Sequence, residues 1–288
     1  MESIAIVGAG NVGITLGLLL KKKGYQIAGI ISRTAESAQR GGQVIGTEGY
    51  TDIFPVLKTA NVIFITTPDR VIQETCNLIS RKKGFKEGDL AIHTSGSHSS
   101  EILSSARASG AHVMSVHPLQ TIPGPEAGVR NLPGSYFAVE GDEEGLPFVR
   151  RMISDLEGFM LEIPTEMKPL YHASACVVSN YFVAIIRLGL SMMEELGIPK
   201  ENALKALLPL IRGALQNIET VGVPQGLTGP ISRGDYSTIR DHFTVMKNKM
   251  PESVSLYGEL GKYTVQVALE KGSIDKQQAE QLLKVLEV

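Results

Sequence analysis

Ile4–Gly13 reads IAIVGAGNVG, an apolar run that passes without a break into Gly8-Ala9-Gly10-Asn11-Val12-Gly13. The run is the right length and composition for a buried strand. Val12–Lys22 then continues with Leu16, Leu19 and Leu20 at helical spacing. A strand, a G-x-G-x-x-G turn and a helix in immediate succession form the dinucleotide fingerprint in its proper context. Each glycine has a reason: Gly8 permits the tight turn, Gly10 lets backbone approach a pyrophosphate, and Gly13 lets helix and strand pack closely. The helix then aims its unpaired N–H groups and positive dipole end at the phosphates.

Working outward, Gln26–Ile31 reads as the second strand and ends at Ser32-Arg33-Thr34. A fold that binds NAD places a carboxylate at this point. An arginine between two hydroxyls suits a 2′-phosphate instead, which predicts NADP(H). Further strands are expected at Val62–Thr66, Leu90–His93, Val113–Val116, Tyr136–Glu140 and Phe159–Ile163, with helices over Val71–Arg81, Glu101–Ala108 and Glu144–Leu156. Strands alternating with helices predict a parallel sheet, which binds ligands beyond the carboxyl ends of its strands. Thr67-Pro68-Asp69, Thr94-Ser95-Gly96-Ser97-His98 and His117-Pro118-Leu119-Gln120-Thr121 all fall there. Thr67, Pro68, Ser95 and Gly96 are therefore read as cofactor contacts, and His117 as a contact to cofactor or substrate, with substrate preferred.

Past Pro164 the pattern becomes helical, roughly over Glu166–Leu196, Lys200–Val221, Tyr236–Asn248, Pro251–Lys271 and Asp275–Leu286. The expectation is an α/β domain over residues 1–164, followed by an all-helical substrate and dimerisation domain over 165–288, with the active site in the crevice between them.

Composition narrows the class. The chain has 288 residues, a formal net charge of −2 and two cysteines, Cys76 and Cys176, with no metal-like spacing. No basic field argues for nucleic acid or an anionic membrane, and sparse cysteine fits a reducing cytoplasm. A strand within the first few residues leaves no room for a signal peptide. Ala173–Ile186 is apolar, too short to span a bilayer, and is expected to be a buried helix. No histidine pair has metal spacing, and Thr94-Ser95-Gly96-Ser97 lacks the hydrolase elbow.

Lys168, His172, Cys176 and Asn180 recur every fourth residue and trace one drifting helix face, with Lys168 and Asn180 about 18 Å apart. A polar stripe on an otherwise apolar helix is costly unless it meets water, a partner or a ligand. It therefore marks a candidate site, with satisfied core residues as the alternative.

IAIVGAGNVG and HASACVVSNYFVAI resemble ketopantoate reductases and related two-domain hydroxyacid dehydrogenases. In that family a catalytic lysine is followed by asparagines four and eight residues on. Aligned on Asn180, the lysine position falls on His172 and the first asparagine position on Cys176, so only Asn180 is kept. Lys168, one turn earlier, is the available cation. Thr228–Asp235, followed by Thr238 and His242, occupies the place of the family's substrate loop. The resemblance makes Ser232, Arg233 and Asp235 substrate-contact candidates, although Asp235 is also a good helix N-cap. Thr67-Pro68-Asp69 and His117-Pro118 look more like pyrroline-carboxylate reductases, prephenate dehydrogenases and a group of Rossmann-like oxidoreductases with a helical C-terminal domain of unknown function. That group, in the 6-phosphogluconate dehydrogenase-like superfamily, includes an alternative, non-orthologous type of ketopantoate reductase.

The resemblance implies a Rossmann dinucleotide-binding domain, NADP(H) as cofactor and a homodimer. It implies reduction of a small 2-oxo acid, ketopantoate first, in pantothenate biosynthesis. His172 is the expected general acid, with Asn180 and Lys168 beside it. An imine reductase resembling pyrroline-5-carboxylate reductase and a non-catalytic NADP-binding sensor are the alternatives.

Overall fold

In a computed structural model, residues 2–287 are described. The chain opens with β1 (Ser3–Val7), α1 (Asn11–Lys22), β2 (Gln26–Ile31), α2 (Ala35–Ile45), β3 (Gly49–Tyr50), α3 (Phe54–Leu57), β4 (Val62–Ile65) and α4 (Ile72–Arg81). It continues through β5 (Leu90–His93), α5 (Ser104–Arg107), β6 (His112–Pro118), α6 (Pro125–Asn131), β7 (Tyr136–Gly141), α7 (Leu146–Asp155), β8 (Phe159–Glu162) and α8 (Lys168–Cys176). A π-helical turn, Val177–Tyr181, follows α8. The remaining helices are α9 (Phe182–Glu195), α10 (Lys200–Val221), α11 (Val223–Gly226), α12 (Tyr236–Lys249), α13 (Val254–Lys271) and α14 (Lys276–Leu286).

The eight strands form one sheet in the order β3-β2-β1-β4-β5-β6-β7-β8. The order reverses at β1, which lies between β2 and β4. That reversal opens a crevice beyond the carboxyl ends of β1 and β4, where the glycine-rich turn sits. The sheet is not wholly parallel as expected: β7 runs antiparallel to β6, and β8 is parallel to β7. Alternation of strands and helices cannot reveal this, because α6 is short and hands the chain back to the same edge in the opposite sense.

Apolar residues cover both faces. Ile4, Ile6, Phe64, Ile92, Met114, Val116 and Val139 pack on one face with Leu16 and Leu20 of α1 and with Val149 and Met152 of α7. Ala5, Ile63, Ile65, Ala91 and Val113 pack on the other with Ile72, Cys76 and Ile79 of α4. Each fully buried Ile or Phe stabilises the fold by about 1.5–3 kcal/mol. The helix α2, strand β3 and short helices α3 and α6 escape the periodicity reading, being brief or rich in glycine and polar residues. The helix expected over Glu101–Ala108 is a 3₁₀ turn, Ser100–Leu103, running into α5.

The compact units divide at Tyr181/Phe182, whereas the sequence pattern changes at Pro164. The segment between them belongs to the first unit because Lys168 is fully buried there against Ser115 of β6. The second unit has its own core, in which Ile239, Phe243 and Met246 of α12 meet Val265 and Ala268 of α13 and Leu282 and Leu286 of α14.

The expectation of a buried helix over Ala173–Ile186 is not met. The helical run Thr165–Glu195 spans 31 residues, and its most apolar stretch of 18, with mean hydropathy 1.6, is only 6% buried. By length and composition alone that run could cross a membrane. Val178 and Val183 are 73% and 65% exposed. Apolar composition predicted burial, but among the described residues Val178 and Val183 remain largely uncovered.

Candidate functional site

The glycine-rich turn is built as the fingerprint requires. Gly8 has φ +125°, and a Cβ there would lie 2.7 Å from the Thr66 carbonyl at the end of β4. A Cβ on Gly13 would collide with the Gly8 carbonyl oxygen and the Thr66 hydroxyl, and that hydroxyl donates to the Gly8 carbonyl at 2.8 Å. Gly10 is different, since a Cβ there would meet nothing within 4 Å. Its backbone faces open space at the N-terminus of α1, which has no side-chain cap and no acid in its first turn. Packed glycines behind and a bare one in front form a cradle that fits an anion. Asn11 steadies the rim by donating to the carbonyls of Ile122 and Pro123, at 3.2 and 2.9 Å. Val12 packs partly buried against the core beneath.

At the end of β2, Arg33 is exposed. Thr34 caps α2 by accepting from the Ser37 N–H at 3.3 Å, which leaves its own hydroxyl proton free to donate. Thr67 carries a buried hydroxyl oxygen with no hydrogen-bond partner, beside exposed Pro68. Ser95 is engaged within its own loop. It donates to Asp69 at 2.8 Å and accepts from the N–H groups of Ser97 and His98, while Ser97 also donates to Asp69. Asp69 therefore ties the turn after β4 to the loop after β5.

The second part of the site lies over β5, β6 and β7. His93, Ser115 and Glu140 are register partners across these strands. His117 is two residues beyond Ser115 and so projects from the same face. Glu140 is buried and accepts from the Ser100 N–H, the Ser100 hydroxyl and the Thr165 hydroxyl at 2.7, 2.7 and 3.1 Å. It thereby fixes the turn that launches α8. From α8 come Lys168, Tyr171 and His172. Lys168 has no exposed surface, and its ammonium donates to Ser115. Burial with so few partners pulls its pKa down to about 8, opposed by Glu140 and Asp69.

His117 Nδ1 lies 2.8 Å from the Tyr171 hydroxyl, and the His117 and His172 rings meet edge to face, 6.2 Å between centroids. Burial, then the nearby Lys168 charge and His172, lower the His117 pKa to about 4. Burial raises Tyr171 to about 12. Burial, then Lys168, lowers His93 to about 3, and its Nδ1 accepts from the Ser95 N–H. His117 and His172 form part of the wall of a cavity of about 280 Å³, with Gln120, Thr121, Cys176, Ser179 and Asn180.

Three of the four residues of the predicted stripe thus line one cavity. Lys168 does not, since it lies inside the protein on Ser115. The π turn explains why Asn180 still joins: its i→i+5 bonds break the α-helical drift after Cys176. Cys176 Sγ is 3.8 and 3.9 Å from the two His172 ring nitrogens. The loop residues Ser232, Arg233 and Asp235 belong to the second unit. Ser232 contacts Leu227 and Ser273, while Asp235 caps α12 by accepting from the N–H and hydroxyl of Thr238. Those bonds hold the Asp235 carboxyl down at about 2. His242 is bonded to Tyr257 in the same unit. Arg233 remains exposed.

Tyr171, Ser115 and Glu140 were not singled out from sequence, and Asp69 was read only as part of the strand-end segment Thr67-Pro68-Asp69. Tyr171 had a signal, standing three residues after Lys168 and next to His172. Glu140 had one too, as an acid closing the apolar strand Tyr136-Phe137-Ala138-Val139.

A Rossmann-type nucleotide unit with a polar site at its strand ends, followed by a helical unit, defines the class. Residues 2–118 match a Rossmann-like domain family, and residues 135–264 match a domain of unknown function, DUF2520. No curated protein matches the chain. A solved protein from Thermotoga maritima is 28% identical with a TM-score of 0.71, covering 93% of this chain and 99% of its own. A candidate NADP oxidoreductase from Bacteroides fragilis is 24% identical with a TM-score of 0.74, covering 92% and 98%. The pyrroline carboxylate reductase of Plasmodium falciparum, solved with NADP bound, is 13% identical with a TM-score of 0.59 and full coverage of both chains. These likenesses establish the fold.

Proposed function

We propose that the chain is an NADP(H)-dependent reductase of a small polar substrate. A 2-oxo acid comes first, with ketopantoate reduced to pantoate, a step of pantothenate biosynthesis, as the leading case. The observation that carries the reading is the meeting of His117 and His172 on a cavity wall beyond the carboxyl ends of β5 and β6, on the sheet that also carries the glycine cradle.

Gly8, Gly10, Asn11, Val12 and Gly13 would hold the pyrophosphate of NADPH. Ser32, Arg33 and Thr34 would read its 2′-phosphate, with Thr67, Pro68, Ser95 and Gly96 toward the nicotinamide. When bound, the cofactor supplies a hydride. His172 gives the proton that balances the new alkoxide, because among the described residues its ring nitrogens have no partner but the Cys176 thiol, at 3.8 and 3.9 Å. His117 and Asn180 orient the substrate through hydrogen bonds. Lys168 serves this site from beneath.

Resemblance to the Plasmodium falciparum pyrroline carboxylate reductase favours a second reading, reduction of a cyclic imine. A protonated imine already carries the proton that an alkoxide lacks, so His172 would be dispensable. His172→Ala separates the two. Turnover of an oxo acid should fall about 10²–10⁴-fold with NADPH affinity intact. Unchanged oxo-acid turnover would remove His172 from the mechanism.

The proposal includes a homodimer in the cytoplasm. Exposed Val183 and Ile185 on α9 and Leu210, Leu215 and Ile218 on α10 support self-association through these helices.

A further inference from the structure

The buried groups beneath the cavity carry an inference that deepens the proposed reading and rests on it for the identity of the ligand. We propose that Lys168 and Tyr171 are positioning residues that fix His117 as a neutral imidazole with its proton on Nε2, a permanent hydrogen-bond donor to an oxygen or nitrogen acceptor of the substrate.

The argument starts from Tyr171. Among the described residues its hydroxyl has a single hydrogen-bond partner, His117 Nδ1 at 2.8 Å. A phenol is a good donor and a poor acceptor. If Nδ1 carried the proton, the phenol would accept weakly while its own hydrogen went unpaired beside a half-buried ring. The phenol therefore donates, Nδ1 accepts, and the one imidazole proton resides on Nε2. Within the His117 ring, Nε2 and Cε1 are the atoms turned toward Gly96, at 2.9 and 3.0 Å from where its Cβ would be, behind His172 Cδ2 at 2.5 Å. Nε2 has no protein partner among the described residues and belongs to a ring on the cavity wall. A carbonyl or carboxylate oxygen there would complete it.

Lys168 supplies the second constraint. Its ammonium lies 6.0 Å from the Tyr171 ring centroid, fully buried and held by Ser115, two residues before His117 on the same strand face. A fixed positive charge opposes a second one on the imidazole. The other groups around His117 are His172 on α8, neutral His93 on β5, Glu140 on β7 and Asp69 after β4. Glu140 is engaged by Ser100 and Thr165, and Asp69 by Ser95 and Ser97, so neither carboxylate is bonded to the imidazole. Tyr171 sets which nitrogen holds the proton, and Lys168 keeps the count at one. No covalent step is involved.

The test is nitrogen-15 NMR of the full-length protein with labelled histidine, His117 being assigned by its loss in His117→Asn. In the wild type His117 should show the neutral Nε2–H pattern from neutrality down to about pH 5. Tyr171→Phe should leave the ring neutral but mix the two tautomers. Lys168→Met should raise the His117 pKa by at least about one unit. A wild-type ring that is Nδ1–H, or that titrates at the ordinary histidine value, would overturn the assignment. So would Lys168→Met with unchanged titration. Should Lys168→Met fail to fold, the wild-type and Tyr171→Phe spectra still decide. These spectra need no turnover, so failure to reduce any substrate would count against the proposed activity and leave this inference standing.

Discussion

Gly96 and His172 are in contact across the site: a Cβ on Gly96 would come within 2.5 Å of His172 Cδ2. The same Cβ would sit 2.9 Å from His117 Nε2, so one missing side chain lets the loop after β5 reach both imidazoles. Gly96→Ala should leave the backbone undisturbed, because the atoms it meets are ring ends that can swing away. The histidines would then lose their relative placement. Misplacement of about 1 Å at a reacting centre costs on the order of 10²-fold. Steady-state kinetics alongside a melting curve should show that loss with melting shifted by only a few degrees. Full activity would mean that the two rings do not act together.

Two glycines of the turn should separate stability from binding. Gly13→Ala drives a methyl into the Gly8 carbonyl and the Thr66 hydroxyl, which should destabilise the fold by about 1–3 kcal/mol. Gly10→Ala meets nothing in the protein, so its unfolding should match wild type while NADPH affinity drops at least about tenfold. Urea unfolding paired with NADPH fluorescence titration reads both. Equal behaviour of the two variants would mean that the open face at Gly10 is not where phosphates bind.

Stability should depend on pH through the buried imidazoles. His117 and His93, at about 4 and about 3, lie below the ordinary histidine value of 6.5, so between those values the unfolded chain binds more protons. Stability from these groups is complete above about pH 6.5 and is lost as pH falls toward 4. Lys168 acts at the other end. With its pKa at about 8 instead of 10.5, stability from this group rises as pH climbs between those values. Urea unfolding at about pH 7, 6 and 5 should give a falling free energy, with a shallower fall in His117→Asn. A flat profile would mean that the imidazoles are not held neutral.

The nucleotide half was legible in sequence because its signals are local. Gly8, Gly10 and Gly13 act within one turn, and β1 and β2 are apolar runs bounded by punctuation. The reversed strands β7 and β8 were not, since strand direction depends on the path of a connection rather than on the residues of the strand. Within the site, the helical spacing of His172, Cys176 and Asn180 brought three residues to one cavity. It misled for Lys168, whose burial depends on Ser115, a residue more than fifty positions earlier. Tyr171 escaped notice because its role is a hydrogen bond to His117 on another element. Apolar Val178 and Val183 were read as buried because composition does not say whether a covering surface comes from the same chain.

The most direct test of the central claim is loss of NADPH absorbance with ketopantoate, run beside NADH, 2-oxoisovalerate and pyrroline-5-carboxylate. Rapid oxidation of NADPH with an oxo acid, and much slower oxidation of NADH, is the predicted result and would support Arg33 as the phosphate reader. Turnover of the cyclic imine alone would transfer the site to imine reduction. Tight NADPH binding with no oxidation by any of these substrates would contradict the account and leave a nucleotide-binding protein without this chemistry.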